Sequence, residues 1–258
     1  MIEVITTCND AGWRQTGKRM VESFRKQWPA SVKLVVYCEN FDIAVEGVEM
    51  RRLPAWQAEF KERHRLNPRA NGHTPSRYDF RFDAVKFSHK MGAVVDAGLR
   101  KKDGVMIWLD VDTFTHSQVT EEWLKSLFPE PSYVAWLDRL NNWPECGFVM
   151  YRCGHKAHQT VMNSLREYYT RDTVFSLREP HDCMVLMHLI ESMVKAGEIE
   201  PPVSLSGDRA WSHPFVNGPL GSRMDHMKGE RKKRGRSDGW DLKQPRTEAY
   251  WKNRRVAI

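Results

Sequence analysis

Apolar and polar stretches alternate along most of the chain in a way that predicts strands alternating with helices. Apolar runs at 2–8 (IEVITTC) and 32–38 (VKLVVYC) indicate strands, and apolar residues at helical spacing over 17–28 indicate a helix between them. Nearly continuous apolar strands are typical of sheets that helices cover on both faces. The pattern continues with strands predicted at 105–112, 132–138 and 146–152 and helices at 81–98, 119–128, 155–170 and 181–197.

This alternation predicts an α/β fold with a mostly parallel sheet flanked by helices, whose ligands bind beyond the carboxyl ends of the strands. No linker is visible, so we expect 1–258 to form a single domain. Residues 51–80 are polar, aromatic and interrupted by Pro and Gly, which predicts a long excursion over one face of the fold. From about 205 to 258 the periodicity fades, which predicts a C-terminal flap and a basic tail.

The composition narrows the class of protein. Hydrophobic residues make up 41% and aromatic residues 11% of the chain, which excludes a mostly disordered protein. No apolar stretch approaches the ~20 residues that span a bilayer and no secretory signal is visible, so we expect a cytoplasmic protein. The cysteines are odd in number and include no C-x-x-C pair, which argues for a reducing compartment and against a zinc cluster. They are Cys8, Cys38, Cys146, Cys153 and Cys183.

The charge of the chain predicts an attraction to polyanions. The net charge is +7 and the sequence pI is about 9.2. Much of the positive charge lies at 61–69 (KERHRLNPR) and 228–236 (KGERKKRGR). Charge alone does not choose among nucleic acid, an acidic membrane and the phosphates of a nucleotide.

Residues 12–18 (GWRQTGK) have the G-x-x-x-x-G-K spacing of a phosphate-binding loop. That loop needs a Ser or Thr after the lysine, because the hydroxyl binds magnesium. Here the position is Arg19. We therefore interpret Gly12 as a turn residue and Lys18 and Arg19 as solvated residues of the first helix.

A stronger signal is the pair Asp110 and Asp112, which follows the most apolar predicted strand. Residues two apart on a strand point to the same face, so the two carboxylates are expected to converge. Neighbouring anions are costly unless a positive charge lies between them. Oxygen ligands suit a hard divalent cation such as Mn²⁺ or Mg²⁺, and we therefore predict a metal site here.

A second motif, 226–232 (HMKGERK), has the form H-x-x-G-x-x-K. The imidazole of His226 can complete a mixed oxygen and nitrogen shell around Mn²⁺. Gly229 lets the backbone approach a phosphate closely, and Lys232 supplies a compact positive charge. The alternative is a structural histidine followed by a solvated basic segment.

The order of these segments resembles the metal-dependent nucleotide-sugar glycosyltransferases of the GT-A fold. Six segments follow one another in the family's order within 2–235: VITTCND, a helix with DAVKFSHK, IWLDVDT, CGFVMYR, HDCMVL and HMKGERK. The likeness is greatest to glycosyltransferase family 8, the group of glycogenin and bacterial galactosyltransferases. It implies a GT-A (Rossmann-like) fold and transfer of a sugar, with retained anomeric configuration, from a nucleotide-sugar that we expect to be UDP-linked.

The resemblance also implies roles for individual residues. Asp110, Asp112 and His226 would be the metal ligands, and Asp182 would be the acidic residue near the reacting sugar carbon. The nucleoside would bind at the end of the first strand, and the diphosphate would bind at H-x-x-G-x-x-K. The residues expected to contact the nucleotide-sugar are Thr6, Thr7, Asn9, Asp10, Lys86, Gly229 and Lys232.

The chain departs from the family pattern at three places. Cys183 stands where the family has Gln after the acid, KKR stands for KPW, and ECG at 145–147 stands for NSG. A retaining transfer uses either Asp182 as a nucleophile or front-side attack shielded by the leaving phosphate, and the sequence leaves both open. In either case the metal and Lys232 would stabilise the charge that develops on the leaving diphosphate.

The excursion bears on the acceptor, because it interleaves aromatic and cationic residues. Cations for phosphates and rings for stacked or flipped bases suit an enzyme that modifies DNA. The alternative is a loop whose aromatic side chains pack into the core while its cations face water. The residues concerned are Trp56, Phe60, Tyr78 and Phe80, with Lys61, Arg63, Arg65, Arg69 and Arg77.

The general character of the chain resembles glycosyltransferase-like proteins of bacteriophages, some of which glycosylate hydroxymethylated pyrimidines in DNA. We therefore expect such a base as the acceptor. A cell-surface glycan or lipopolysaccharide is the alternative, with residues 247–258 (TEAYWKNRRVAI) as a peripheral membrane contact. Outside the transferases, a metal-dependent nuclease also uses D-x-D with His, and a basic protein can simply bind nucleic acid.

Overall fold

The computed structural model describes residues 1–207 and 213–252. Parts of the predicted flap and tail, 208–212 and 253–258, lie outside the described residues. The strands are β1 (Ile2–Cys8), β2 (Lys33–Cys38), β3 (Glu49–Arg52), β4 (Val105–Leu109), β5 (Thr113–Thr115), β6 (Val134–Leu137), β7 (Glu145–Arg152), β8 (Val203–Ser204) and β9 (Met224–His226). They form a seven-stranded sheet in the order β3-β2-β1-β4-β7-β6-β8 and a separate two-stranded ribbon of β5 and β9.

The strand directions bring three strand ends together. Strands β3, β2, β1 and β4 run parallel, β7 runs antiparallel to β4 and β6, and β8 is parallel to β6. The prediction of a mostly parallel α/β sheet is confirmed. The carboxyl ends of β1 and β4 consequently lie at the same edge as the amino end of β7, and sheets of this kind bind ligands at such an edge.

Helices cover both faces of the sheet. Several begin at capping side chains; for example, Asp83 accepts a hydrogen bond from the N–H of Lys86. No helix within the described residues is long and apolar enough to cross a bilayer. The helices are α1 (Asp10–Gly12), α2 (Lys18–Gln27), α3 (Ala55–Arg63), α4 (Ala84–Arg100), α5 (Glu121–Leu127), α6 (His158–Thr170), α7 (Asp182–Lys195), α8 (Pro214–Asn217) and α9 (Arg231–Arg234).

Each face of the sheet has its own hydrophobic core, because alternate residues of a strand point to opposite sides. Ile5 and Val35 belong to the core under α3, α4, α6 and α7, whereas Val4 and Leu34 belong to the core under α2 and α5. The described part of the predicted flap contributes buried side chains to this second core. They are Phe215, Val216, Leu220, Met224, Leu242 and Trp251.

Two expectations about the motifs need correction. The strand predicted over 105–112 ends at Leu109, so Asp110 and Asp112 lie in a turn and not on the pleat of a strand. The chain from Asp10 to Gln27 is helical, with a π-helical turn over Trp13–Gly17, so this stretch contains no phosphate-binding loop and Gly12 is a helix residue.

Lys18 and Arg19, the two basic residues at the start of α2, differ in their exposure to solvent. Lys18 is exposed, as expected, but Arg19 is only half exposed. The guanidinium of Arg19 lies 4.1 Å from the centroid of the Phe114 ring and donates a hydrogen bond to the carbonyl of Gly235. Arg19 therefore fastens the C-terminal segment to the second core and is not a solvated cation.

Some aromatic residues of the excursion pack into the core, and others are exposed to solvent. Phe60 is fully buried, and its ring lies 5.1 Å from that of Tyr169, with Trp56 beside the same tyrosine at 6.1 Å. Tyr78 and Phe80 are about half exposed, at 49% and 48%. Phe60 packs into the core with Trp56 partly buried against it, whereas the rings of Tyr78 and Phe80 are exposed to solvent.

Replacing Phe60 by Ala is expected to destabilise the protein strongly, because truncating a fully buried Phe typically costs about 3–5 kcal/mol. Phe80→Ala removes an exposed ring of the same excursion and should cost less than about 1 kcal/mol. Denaturant unfolding followed by circular dichroism measures both changes. Equal costs for the two variants would contradict the assignment of Phe60 to the core.

Candidate active site

The first half of the site is the turn that follows β4. The N–H of Asp110 donates to the carbonyl of Gly147 at 2.9 Å, which ties the turn to β7. The indole Nε1–H of Trp108, on β4, donates to Oδ1 of Asp110 at 2.6 Å. These two hydrogen bonds fix the direction of the Asp110 carboxylate.

The second half reaches this turn through the ribbon of β5 and β9. Thr113 pairs with His226 in antiparallel register, and the N–H of Met227 donates to the carbonyl of Asp112 at 3.0 Å. The ribbon therefore brings His226 beside an aspartate that lies 114 residues earlier in the chain. Each of its strands has only three residues, too few for a hydrophobic pattern to reveal.

The imidazole of His226 lies among three carboxylates. Its Nε2 is 3.0 Å from Oδ1 of Asp112 and 3.3 Å from Oδ2 of Asp110. Its Nδ1 is 3.0 Å from Oε1 of Glu145, the first residue of β7. Gly147 lies against the ring, since a Cβ there would be 2.5 Å from the ring carbon Cε1. Glu145 and Gly147 together determine where the imidazole sits.

The three predicted ligands fit a divalent cation. One donor atom from each of Asp110, Asp112 and His226 lies within 4.8 Å of the other two. When Nδ1–H donates to Glu145, the lone pair of Nε2 faces two carboxylates, and this convergence requires a proton or a metal ion. A carboxylate behind a ligating histidine fixes its tautomer and orientation. Carboxylate oxygens with an imidazole nitrogen suit Mn²⁺.

Neighbouring charges keep these groups ionised despite their burial. Burial opposes ionisation of Asp110, but Lys90 and His226 hold its pKa below its usual range. Burial also opposes ionisation of Asp112, whose pKa is lowered chiefly by His226. For His226, burial favours the neutral ring, but the charge of Asp112 and hydrogen bonds to the carboxylates raise its pKa well above the usual value. A metal ion that binds here takes the place of a proton.

Lys90 joins the metal-site turn to Asp182. Its ammonium lies 2.7 Å from Oδ2 of Asp182, 3.4 Å from Oδ1 of Asp110 and 2.6 Å from the carbonyl oxygen of Cys146. An ammonium has three N–H donors, and these contacts account for all of them. Burial opposes the charge on Lys90, but the two aspartates raise its pKa.

Lys86, the residue of this helix predicted to contact the donor, lies one turn before Lys90, which was not predicted. The side chain of Lys86 is exposed, whereas Lys90 is 8% exposed. The signal for Lys90 was present, because the lysine interrupts the apolar stripe that continues with Met91 and Val94. A lysine on a buried stripe requires anionic partners in the fold.

Asp182 is the first residue of α7 and is buried. Burial opposes its ionisation, but Lys90 and His181 lower its pKa to about 2. Asp182 is therefore a carboxylate at neutral pH, separated from Asp110 by the ammonium of Lys90.

The residues of the H-x-x-G-x-x-K motif lie beside the same cluster. Nζ of Lys232 is 2.9 Å from Oδ2 of Asp112, and Lys228 forms an ion pair with Glu145. Gly229 has a φ of +55°, in the left-handed region, with open space where a Cβ would be. The turn conformation thus accounts for this glycine without any close approach of another group.

The residues predicted to contact the nucleoside lie at the carboxyl end of β1, the strand next to β4. Oγ1 of Thr7 donates to the carbonyl of Tyr37 at 2.9 Å, and Oδ1 of Asn9 accepts from the N–H of Gly12 at 2.7 Å. Asp10 pairs with Arg14 on the surface.

Two further features of this end of β1 concern an unpartnered hydroxyl group and a contact with the aspartate turn. Oγ1 of Thr6 is buried and has no hydrogen-bond partner within residues 1–207 and 213–252. The π-helical turn after β1 lies against the aspartate turn, since a Cβ at Gly17 would be 3.3 Å from the side chain of Val111.

Comparisons with known proteins identify the fold. No protein-family model and no curated protein sequence matches the chain. The chain is similar to the structure of WbbM, a bifunctional glycosyltransferase, with a TM-score of 0.51 and 11% identity over 89% of this chain. It covers 46% of that protein, slightly less than half of its length. At this identity the similarity shows the fold alone, which is that of the GT-A glycosyltransferases.

Two further structures are similar at lower scores. Mouse xyloside xylosyltransferase 1 has a TM-score of 0.46 and 8% identity, over 77% of this chain and 84% of that one. The galactosyltransferase LgtC, solved with donor and acceptor sugar analogues, has a TM-score of 0.45 and 9% identity, over 72% of this chain and 69% of that one. The expected GT-A fold is confirmed, and membership of family 8 stays a prediction.

Replacing Gly147 by Ala is expected to weaken Mn²⁺ binding by at least about tenfold, the order found when an outer-shell support of a metal ligand is lost. The added methyl group would overlap the His226 ring and displace Nε2 from the aspartates. Calorimetric titration with Mn²⁺ measures the change. Gly154→Ala is the matched control, because a Cβ there has its nearest neighbour at 3.9 Å. Unchanged Mn²⁺ affinity in Gly147→Ala would contradict the role assigned to His226.

Proposed function

We propose that the protein is a metal-dependent glycosyltransferase that uses Mn²⁺ or Mg²⁺ and a nucleotide-sugar donor, with uridine diphosphate as the leaving group. The observation that carries this proposal is the cluster of half-buried Asp110 with buried Asp112 and His226, at the edge of the sheet where β1 and β4 end. Lys232 adds a positive charge 2.9 Å from Asp112. A hard cation next to a lysine is the combination that a diphosphate needs.

In this proposal the two aspartates and His226 hold the ion, and Glu145 keeps the imidazole in the ligating tautomer. A bound divalent ion supplies electrostatic stabilisation to the departing diphosphate. Lys232 exchanges its contact with Asp112 for the diphosphate, so the charge of the leaving group meets a cation already in position. The residues proposed to contact the donor are Thr6, Thr7, Asn9, Asp10, Lys86, Gly229 and Lys232, joined by Lys90.

Lys90 and Asp182 are proposed to lie at the reacting sugar. Positive charge develops on the sugar carbon as the bond to the diphosphate breaks, and the ionised Asp182 stabilises it or attacks it as a nucleophile. Lys90 orients this carboxylate through their 2.7 Å contact. As a nucleophile, Asp182 would give retention by two successive displacements; as a stabilising charge, it would give retention only if the acceptor attacks from the face that the diphosphate leaves.

The acceptor is proposed to be a hydroxymethylated pyrimidine in DNA, whose exocyclic hydroxyl is a suitable nucleophile. Exposed rings of the excursion support this acceptor, because bases stack on aromatic side chains. Phe80 is 48% exposed, and its ring lies 6.3 Å from that of His181, the residue before Asp182. A surface glycan is the alternative acceptor, since a sugar ring also packs on an exposed aromatic side chain.

Thermal unfolding with nucleoside diphosphates, with and without Mn²⁺, tests the donor site. UDP with Mn²⁺ is expected to stabilise the protein by about 3 kcal/mol at a ligand concentration of 100 times Kd. Asp110→Asn and His226→Ala should remove most of this effect, because each deletes a proposed ligand. Asp103→Asn, at an exposed loop residue before β4, is the control and should keep it.

The same reagents distinguish the proposed transferase from a nuclease and from a protein that only binds nucleic acid. A UDP-sugar that is slowly hydrolysed with Mn²⁺ and no acceptor supports the transferase. Degradation of DNA with Mn²⁺ and no nucleotide-sugar identifies a nuclease. Binding of DNA that is unaffected by Asp110→Asn, together with no response to any nucleoside diphosphate, leaves only a nucleic-acid-binding protein.

Incubation of the best donor with hydroxymethylated DNA tests the acceptor. Mass spectrometry of the digested DNA is expected to show one sugar added to the modified base, and Phe80→Ala should lower the yield more than it lowers donor hydrolysis. Unmodified DNA of the same sequence is the control. Transfer to lipopolysaccharide sugars but not to DNA would contradict the DNA acceptor and leave the donor site unaffected.

A further inference from the structure

Two cysteines that are distant in the sequence meet beside Asp182. Cys146 is the second residue of β7 and is 3% exposed, whereas Cys183 is the second residue of α7 and is partly exposed. One donor atom from each of Cys146, Asp182 and Cys183 lies within 4.8 Å of the other two. All described cysteines are free thiols.

The donor atoms of this trio face each other and the imidazole of His181, whose Nδ1 lies 3.9 Å from Oδ1 of Asp182. Asp182 uses Oδ2 for Lys90, while its Oδ1 faces the sulfur of Cys183 at 3.5 Å. Lys90 has all three of its N–H donors on oxygen atoms, so its ammonium does not occupy the sulfur side. The sulfur of Cys146 faces the thiol of Cys183 and makes a weak contact, 3.9 Å, with the carbonyl of Pro144.

We propose that Cys146, Cys183 and Asp182 form a binding site for a thiophilic divalent cation such as Zn²⁺. Donor atoms of a tetrahedral zinc site lie about 3–4 Å apart, because Zn–S and Zn–O bonds are roughly 2.0–2.3 Å long. The present separations of at most 4.8 Å therefore need only small side-chain rotations. Three protein ligands would leave one position of a tetrahedral zinc ion for water or another ligand.

The chemistry of this site differs from that of the aspartate and histidine site. Thiolates favour zinc and other soft ions, whereas carboxylates with imidazole accept Mn²⁺. Each thiol releases its proton to solvent as its sulfur–metal bond forms, so one ion displaces two protons. The resulting zinc, two-thiolate and carboxylate group carries a net negative charge, which the ammonium of Lys90 balances.

An ion in this site would also affect the transfer reaction, an expectation that rests on the proposed function. The ion takes Oδ1 of Asp182, the carboxylate proposed to act at the reacting sugar. Zn²⁺ at the thiols should therefore slow glycosyl transfer while Mn²⁺ and UDP still bind. Mn²⁺ itself should not compete for the thiols.

Titration of the full chain with Co²⁺ tests the site independently of activity. Thiolate coordination produces an intense near-ultraviolet charge-transfer band that oxygen and imidazole ligands do not produce. We expect the band in the unmodified protein and in His226→Ala, with a Co²⁺ affinity at least about tenfold weaker in Cys183→Ser and Cys146→Ser. Cys153→Ser is the matched control, because it removes a buried thiol of the chain outside the trio.

Several results would overturn the proposal. They are the absence of the band, an undiminished Co²⁺ affinity in Cys183→Ser, or the loss of the band in a folded Cys153→Ser. Since Cys183 is partly exposed, its serine variant should fold even if Cys146→Ser does not, which circular dichroism checks. Stabilisation of Cys183→Ser by UDP with Mn²⁺ separates failure of this site from failure of the donor site.

Discussion

The site depends on balancing the charge of carboxylates that meet in a buried place at one edge of the sheet. Burial penalises each charge, so every one of them needs a cation within contact distance. The cations are shared: Lys90 serves two aspartates, and His226 serves three carboxylates. Because partners are shared, an ion or a diphosphate that enters the site changes the contacts of all of them. The anions are Asp110, Asp112, Glu145 and Asp182.

This balance explains why the C-terminal segment is part of the fold and not an appendage. The segment that carries His226, Lys228 and Lys232 lies between Phe215 and Trp251, two residues that are buried in the second core. Apolar packing on both sides of this segment therefore helps to hold the cations in place. On the other face of the sheet, the buried residues of α4 pack into the first core and hold Lys90 in place. Lys90 also keeps apart two groups of donor atoms, one suited to hard ions and one suited to thiophilic ions.

The periodic elements could be read from the sequence because their apolar residues repeat at the spacing of the element that they form. The helices of α4, α6 and α7 and the strands β1 and β2 are examples, and their alternation was sufficient for the α/β class. The short strands β5, β8 and β9 could not be read, since two or three residues carry no period. The end of β4 was misplaced because Val111 continues the apolar pattern into a turn.

Within the site, the chemical types present could be recognised in the sequence: a D-x-D pair, an acidic residue further along the chain, and then a histidine with a glycine and a lysine at fixed spacing. Which of them meet depends on the fold. Three contacts join elements that are far apart in the chain, and no spacing in the sequence predicts them. They are Glu145 with His226, Lys90 with two aspartates, and Cys146 with Cys183. The physical reason is that helical and strand periodicity is local, whereas charge and ligand contacts depend on which strand ends the sheet order places side by side.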